Sequence, residues 1–180
     1  MKDMSESQDT HFGFKKITKA NWQQVDEVTK LWCGMTAAAK TDEGWIKFFS
    51  YPALDSNVPE GIAKLLEVAR GAMIYGWYFK PLLTLGDDQC WRILEAGVRV
   101  RCQQANIPIK NGKGKDTKFD ANIKALIQNG IISPTDAKRW EAVRNLRNEA
   151  SHPKQQLGLD PGRAQSNLSS VVNCLNDLFR

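Results

Sequence analysis

Along much of this chain apolar residues return at intervals of three and four, the spacing of helices buried along one side. Near the start, Trp22, Val25, Val28, Leu31 and Trp32 keep that spacing. This predicts a helix with Asn21 as its N-cap, ended by Gly34. A short second helix is expected around residues 43–49. The stretch YPALDSNVP at 51–59 is rich in turn formers and reads as a junction to a main domain. Pro59 suits the first turn of a helix there. Ile62, Leu65, Leu66, Ala69, Met73 and Trp77 mark that helix's buried stripe, which ends before Pro81. A second long helix is expected from about Gly86–Asp88, where carboxylates suit an N-terminus, with Trp91, Leu94, Val98 and Cys102 facing inward. After a loop at 107–118, Phe119, Ile123, Leu126 and Ile127 predict a third helix closed by Asn129-Gly130. Ser133-Pro134-Thr135-Asp136 is a strong start for a fourth: Ser as N-cap, Pro at the first helical position, Asp soon after. It should run to about His152, where Pro153 stops it. Asp160-Pro161 opens a fifth, packed through Leu168, Val171, Val172, Leu175 and Leu178.

The expected fold is therefore all-α: a bundle of four to five long helices with a small N-terminal helical extension. The division is residues 1–10 as a disordered N-terminus, 11–57 as the extension and 58–180 as the bundle. No internal repeat is visible. Only residues 82–85 and 107–109 could form short extended pieces.

Composition narrows the class. Hydrophobic residues make up 42% and charged residues 25% of 180, ordinary for a globular chain and unlike a disordered one. The longest nearly uncharged run, 71–79, is far too short to span a bilayer. The opening MKDMSESQDT is polar and lacks the apolar stretch of a signal peptide, so the expectation is a cytoplasmic location without membrane attachment. The four cysteines, Cys33, Cys90, Cys102 and Cys174, form no CxxC pair, and the two histidines, His11 and His152, are far apart. No zinc-ligand spacing results, and free thiols are expected. A net charge of +5 permits a nucleic-acid partner without requiring one.

The segment WEAVRNLRNEASHP at 140–153 carries the chemistry. Ala137, Trp140, Val143, Leu146 and Ala150 supply an apolar face. Arg144, Asn145, Arg147, Asn148, Ser151 and His152 are polar or cationic. Arg144, Asn148 and His152 recur every fourth residue and share a side, with Arg147 at its margin. A planar cation, an amide and an imidazole thus converge at one helix end. Arg can clamp phosphate oxygens in a bidentate manner, His exchanges a proton near neutral pH, and Asn can orient either.

Arg147-Asn148-Glu149-Ala150-Ser151-His152 resembles the signature of the HEPN superfamily: an Arg, a polar residue directly after it, and a His four to six residues on, at the end of a late helix of a bundle. The two preceding long helices and TLGDDQCWRILEAGVRVR also match that pattern. The resemblance covers about residues 58–180 and leaves the N-terminal third uncovered. It implies a metal-independent endoribonuclease, of the kind used as toxins or antiviral defence effectors, acting as a homodimer whose two motifs face one cleft. Carried over by residue, Arg147 would stabilise the phosphorane, His152 would be acid/base and Asn148 would orient them. Arg144 and Ser151 are added as supporting residues on position alone. No cofactor is implied. RNA would be the substrate, and an antitoxin or regulatory protein a further partner. A different class remains open: a non-catalytic HEPN module that binds RNA, a nucleotide or a protein as a scaffold. Burial of Arg147 and His152 in salt bridges would favour it.

Other residues are weaker pointers. Glu95, between Arg92 and Arg99, could belong to a surface ion-pair cluster or face the bundle and hold Arg147, as a carboxylate on this helix does in some related domains. Lys110, Lys113, Lys115 and Lys118, with Gly112 and Gly114, form a mobile basic loop that could track an RNA backbone or be a solvated linker. GKGKDT lacks P-loop spacing. Trp22, Trp32, Trp77, Trp91 and Trp140 sit on apolar stripes, which leaves Trp45 as the aromatic expected at the surface. Asp42-Glu43 and Asp87-Asp88 suit helix starts better than metal binding.

Overall fold

The computed structural model describes residues 10–11, 14–35, 39–150 and 159–180. Among these the fold is a helical bundle, as the periodicity predicts. A two-residue antiparallel ribbon, β1 (Thr10–His11) and β2 (Phe14–Lys15), precedes α1 (Glu27–Met35) and α2 (Asp42–Ser50). The long helices are α3 (Glu60–Tyr75), α4 (Leu82–Gln104), α5 (Phe119–Gln128), α6 (Ala137–Ala150) and α7 (Pro161–Leu178).

α4 is the central helix, and two glycines let its neighbours approach closely. A Cβ added at Gly86 would lie 2.5 Å from Met73 Cγ and 2.9 Å from the Ala69 carbonyl oxygen of α3. One added at Gly97 would lie 2.5 Å from Leu175 Cδ2 of α7. Both positions need the missing side chain for close helix contact rather than for backbone freedom. Leu66, Ala69, Met73, Ile93, Leu94, Val98, Leu168, Val171 and Leu175 are fully buried between these helices. The N-terminal extension shares this core: Cys33, Trp45 and Phe49 belong to the same buried cluster.

Several helix ends match their sequence signals. Asp160 caps α7 by accepting from the Arg163 amide at 3.0 Å, with Pro161 at the first position. Gly130 closes the turn after α5 at φ +69°, where a side chain would be strained. Ser133 accepts from the Thr135 amide at 3.3 Å, and Pro134–Asp136 form a tight 3-10 turn that leads into α6.

Five expectations are overturned. On α3 Leu65 is 39% exposed rather than buried, because the helix faces the core through Ile62, Leu66, Ala69 and Met73, and Trp77 lies past the helix end at Tyr75. The first helix does not start at Asn21. That side chain accepts from the Thr18 amide at 2.8 Å and donates to the Lys16 carbonyl at 2.9 Å, holding a turn instead. Asp26 starts α1 by accepting from the Val28 amide at 3.0 Å. The helix therefore buries Thr29 and Cys33, while Trp22 and Leu31 are exposed. Gly34 lies within α1 rather than after it.

α4 begins at Leu82, so residues 82–85 are helical and not extended. Pro81 already holds helical angles, φ −58° and ψ −19°, and the buried Leu83 anchors the first turn. The pair Asp87-Asp88 consequently sits inside the helix. Asp87 is buried, accepting from Asn167 Nδ2 of α7 at 2.9 Å and from Trp91 Nε1 at 3.2 Å. Burial pushes its carboxyl above the usual range, against the pull of those two hydrogen bonds.

Trp45 is 1% exposed. Its indole N–H donates to the Ile74 carbonyl at 2.9 Å and the Met73 carbonyl at 3.2 Å. These belong to the last turn of α3, which lacks a basic residue of its own to serve them.

The loop at 107–118 is tied rather than loose. Lys110 and Asp116 form a β-bridge, and Asn111 Oδ1 accepts from the amides of Lys113 at 3.0 Å and Lys115 at 3.1 Å. Gly114 supplies the positive φ, +73°, that the turn requires. No described helix is long and apolar enough to cross a membrane.

Candidate functional site

α6 is the least apolar of the long helices. Trp140 and Val143 are its buried apolar residues and Leu146 is half-buried. Its three arginines do the rest of the attachment, each reaching a carboxylate on a different helix. Arg139 Nη2 lies 2.7 Å from Asp177 Oδ2 of α7 and donates to Cys174 Sγ at 3.4 Å. Arg144 Nη1 lies 2.8 Å from Asp120 Oδ1 of α5. Arg147 Nη2 lies 2.6 Å from Glu95 Oε2 of α4.

Of the two placements open to Glu95, the inward one holds. Its carboxylate faces Arg147 across the bundle, and Arg99 turns away to Asp116 at 3.1 Å. The side chains of Arg147 and Glu95 are 33% and 29% exposed. The pair is thus within reach of an incoming ligand yet shielded enough for its attraction to exceed that of a fully solvated pair. Asn148, exposed, accepts from Arg147 Nη1 at 3.5 Å, a long contact.

The shared side of Arg144 and Asn148 does not converge on one point. Arg144 is drawn to α5 and also reaches Glu141 Oε1 at 3.6 Å and Asn145 Oδ1 at 3.3 Å. Asp120 is clamped from two sides, by Lys124 at 2.8 Å and by Arg144. Hydrogen bonding from Lys124, then from Arg144, holds its carboxyl below the usual range, and Asp120 in turn raises Arg144. Ser151 and His152 lie outside the described residues. Lys110, Lys113, Lys115 and Lys118 are all exposed on the turn before α5.

Asp120 and Asp177 escaped sequence reasoning. Asp120 had a signal, being an acidic residue in the first turn of a helix. Asp177, near the end of α7, had none that spacing alone reveals. Among the described residues no cluster of His, Cys, Asp and Glu could hold a metal ion.

Fold and site together define an all-α bundle whose late helix presents an arginine-rich end, braced by carboxylates from its neighbours. A family model described as a domain of unknown function (DUF4145) matches residues 93–179, from within α4 to the end of α7, a span that includes Glu95, Asp120, Arg144 and Arg147. No curated protein and no solved structure matches the chain.

Proposed function

We propose that this chain is a metal-independent endoribonuclease of HEPN type, of the kind that serves as a toxin or antiviral defence effector. The observation that carries the reading is the Arg147–Glu95 pair at 2.6 Å. A guanidinium steered by a carboxylate from another helix has its planar fork aimed before a phosphate arrives, so little reorganisation is needed during reaction. In this scheme the RNA 2′-OH attacks the adjacent phosphorus. Arg147 stabilises charge on the phosphorane, and Asn148 orients the ligand. His152 takes the hydroxyl proton, and a second His152 from a partner copy protonates the leaving 5′ oxygen. The protein then works as a homodimer in the cytoplasm, under control of an antitoxin or regulatory partner. The test is incubation of the purified protein with labelled total RNA, with and without EDTA; absence of cleavage in both would overturn the reading.

A second reading draws on the same ion pairs. Arg139, Arg144 and Arg147 all fasten α6 to its neighbours, which a non-catalytic scaffold would also use. Such a module would bind RNA, a nucleotide or a protein and leave RNA uncut.

A further inference from the structure

α4 carries two anchors one helical turn apart, about 6 Å along its axis. Glu95 holds Arg147 at 2.6 Å, and Arg99 holds Asp116 at 3.1 Å. Asp116 pairs with Lys110 to close the basic turn. The turn at 110–118 is thereby moored to the same face of the bundle as the arginine site, at a distance fixed by α4. Its own backbone is set by the Asn111 side chain and by the Thr117 amide, which donates to the Ile109 carbonyl at 2.9 Å. α5 follows at once, adding Lys124 and the link to Arg144 through Asp120.

Charge on this face is one-sided. Asp116 and Asp120 are each taken by a cation. Lys110, Lys113, Lys115 and Lys118 are exposed, and none forms an ion pair with a described residue. Four ammonium groups on a preset turn suit a ligand carrying regularly spaced negative charge. As point charges they would grip phosphates without reading bases. A pre-ordered turn also loses less conformational entropy on binding than a free loop would.

We propose that the turn at 110–118 is a phosphate-binding extension of the Arg147 site, which takes the backbone of single-stranded RNA where the strand leaves that site. The inference rests on the ribonuclease reading for its substrate. The turn binds by charge, so affinity is indifferent to sequence and to the 2′ substituent and falls steeply with salt.

The test uses the full chain and a fluorescein-labelled 2′-O-methyl oligoribonucleotide, which has no 2′-OH to attack and so stays intact. Anisotropy is measured against KCl for three proteins. One is the parent. The second combines Lys110→Gln, Lys113→Gln, Lys115→Gln and Lys118→Gln. The third is a control of equal charge change, Lys16→Gln, Lys19→Gln, Lys40→Gln and Lys47→Gln, exposed lysines of the N-terminal extension. The turn variant should bind about tenfold or more weakly, with the log–log salt slope shallower by about 0.7 for each phosphate no longer neutralised. The control should stay within about twofold of the parent. Equal weakening in both variants, unchanged binding in the turn variant, or a parent that does not bind would each overturn the inference. Cleavage of natural RNA is scored separately. A parent that cuts RNA alongside a turn variant that binds normally sinks the turn and leaves the nuclease. A parent that binds through the turn and never cuts sinks the nuclease and leaves the turn.

Discussion

Arg147 donates to Glu95 at 2.6 Å across 52 residues of chain, joining the end of α6 to the middle of α4. Replacing Glu95 with Gln keeps the shape and removes the charge. RNA cleavage should fall at least about tenfold, because the guanidinium loses its fixed aim. Stability should fall by about 1 kcal/mol or less, since the pair is one-third exposed. Full activity in Glu95→Gln would show that the carboxylate has no positioning role.

His152→Ala is expected to abolish cleavage and leave the melting temperature unchanged, a loss of chemistry without a loss of packing. Arg147→Ala should be equally inactive and also less stable, because it leaves the half-buried Glu95 carboxylate without its cation. Paired activity and thermal-melt measurements separate the two. An active His152→Ala protein would end the acid/base assignment.

Product ends report the mechanism directly. Attack by the neighbouring 2′-OH requires cleavage that persists in EDTA, leaves DNA of the same sequence untouched and yields 2′,3′-cyclic phosphate. Mapping of fragment ends decides it. Products with 3′-hydroxyl ends, or activity restored only by Mg²⁺ after chelation, would contradict the roles given to Arg147 and His152.

One histidine per motif also fixes an expectation about assembly. Light scattering at micromolar concentration should return a homodimer. A monomer with intact nuclease activity would mean that one chain supplies both proton-transfer groups.

Asp87 gives a pH signature. Its folded-state pKa is raised by burial, so between the unfolded value and that raised value the folded state holds a proton that the unfolded chain has lost. Its contribution is most favourable below the ordinary carboxylate range and declines as pH rises through the folded pKa. Melting temperatures of the parent and Asp87→Asn, compared from pH 3.5 to pH 7, should therefore shift in the variant's favour with rising pH. The opposite trend would mean that hydrogen bonding to Trp91 and Asn167 outweighs burial.

Short-range signals were the legible part of the sequence. Asp160-Pro161, Ser133-Pro134 and Asn129-Gly130 each act within a turn of their own position, and the structure uses them where they occur. The periodicity of α5 and α7 survived for the same reason, and that of α3 did so at Ile62, Leu66, Ala69 and Met73. Trp45 and the start of α4 were misread because tertiary partners decided them, and Trp22 because the Asn21 side chain holds a local turn with Lys16 and Thr18 in place of a helix start. Trp45 is inside because α3's last carbonyls need a donor 28 and 29 residues away. Leu82 is helical because Leu83 has a core to enter. The candidate site divides likewise. Arg147 stood out in its motif and Glu95 could be weighed against its neighbours, but Asp120 and Asp177 become partners of α6 only once the helices are packed.

The three arginines of α6 triangulate it. A helix held by grease alone can slip along a groove or roll about its axis by one ridge. One tied at its beginning to α7, in its middle to α5 and at its end to α4 is biased against both motions, since either would stretch all three pairs. The aim of the Arg147 guanidinium is thus set partly by Arg139, two turns away on another flank, and the accuracy of the site belongs to the whole helix rather than to the residues that would touch RNA.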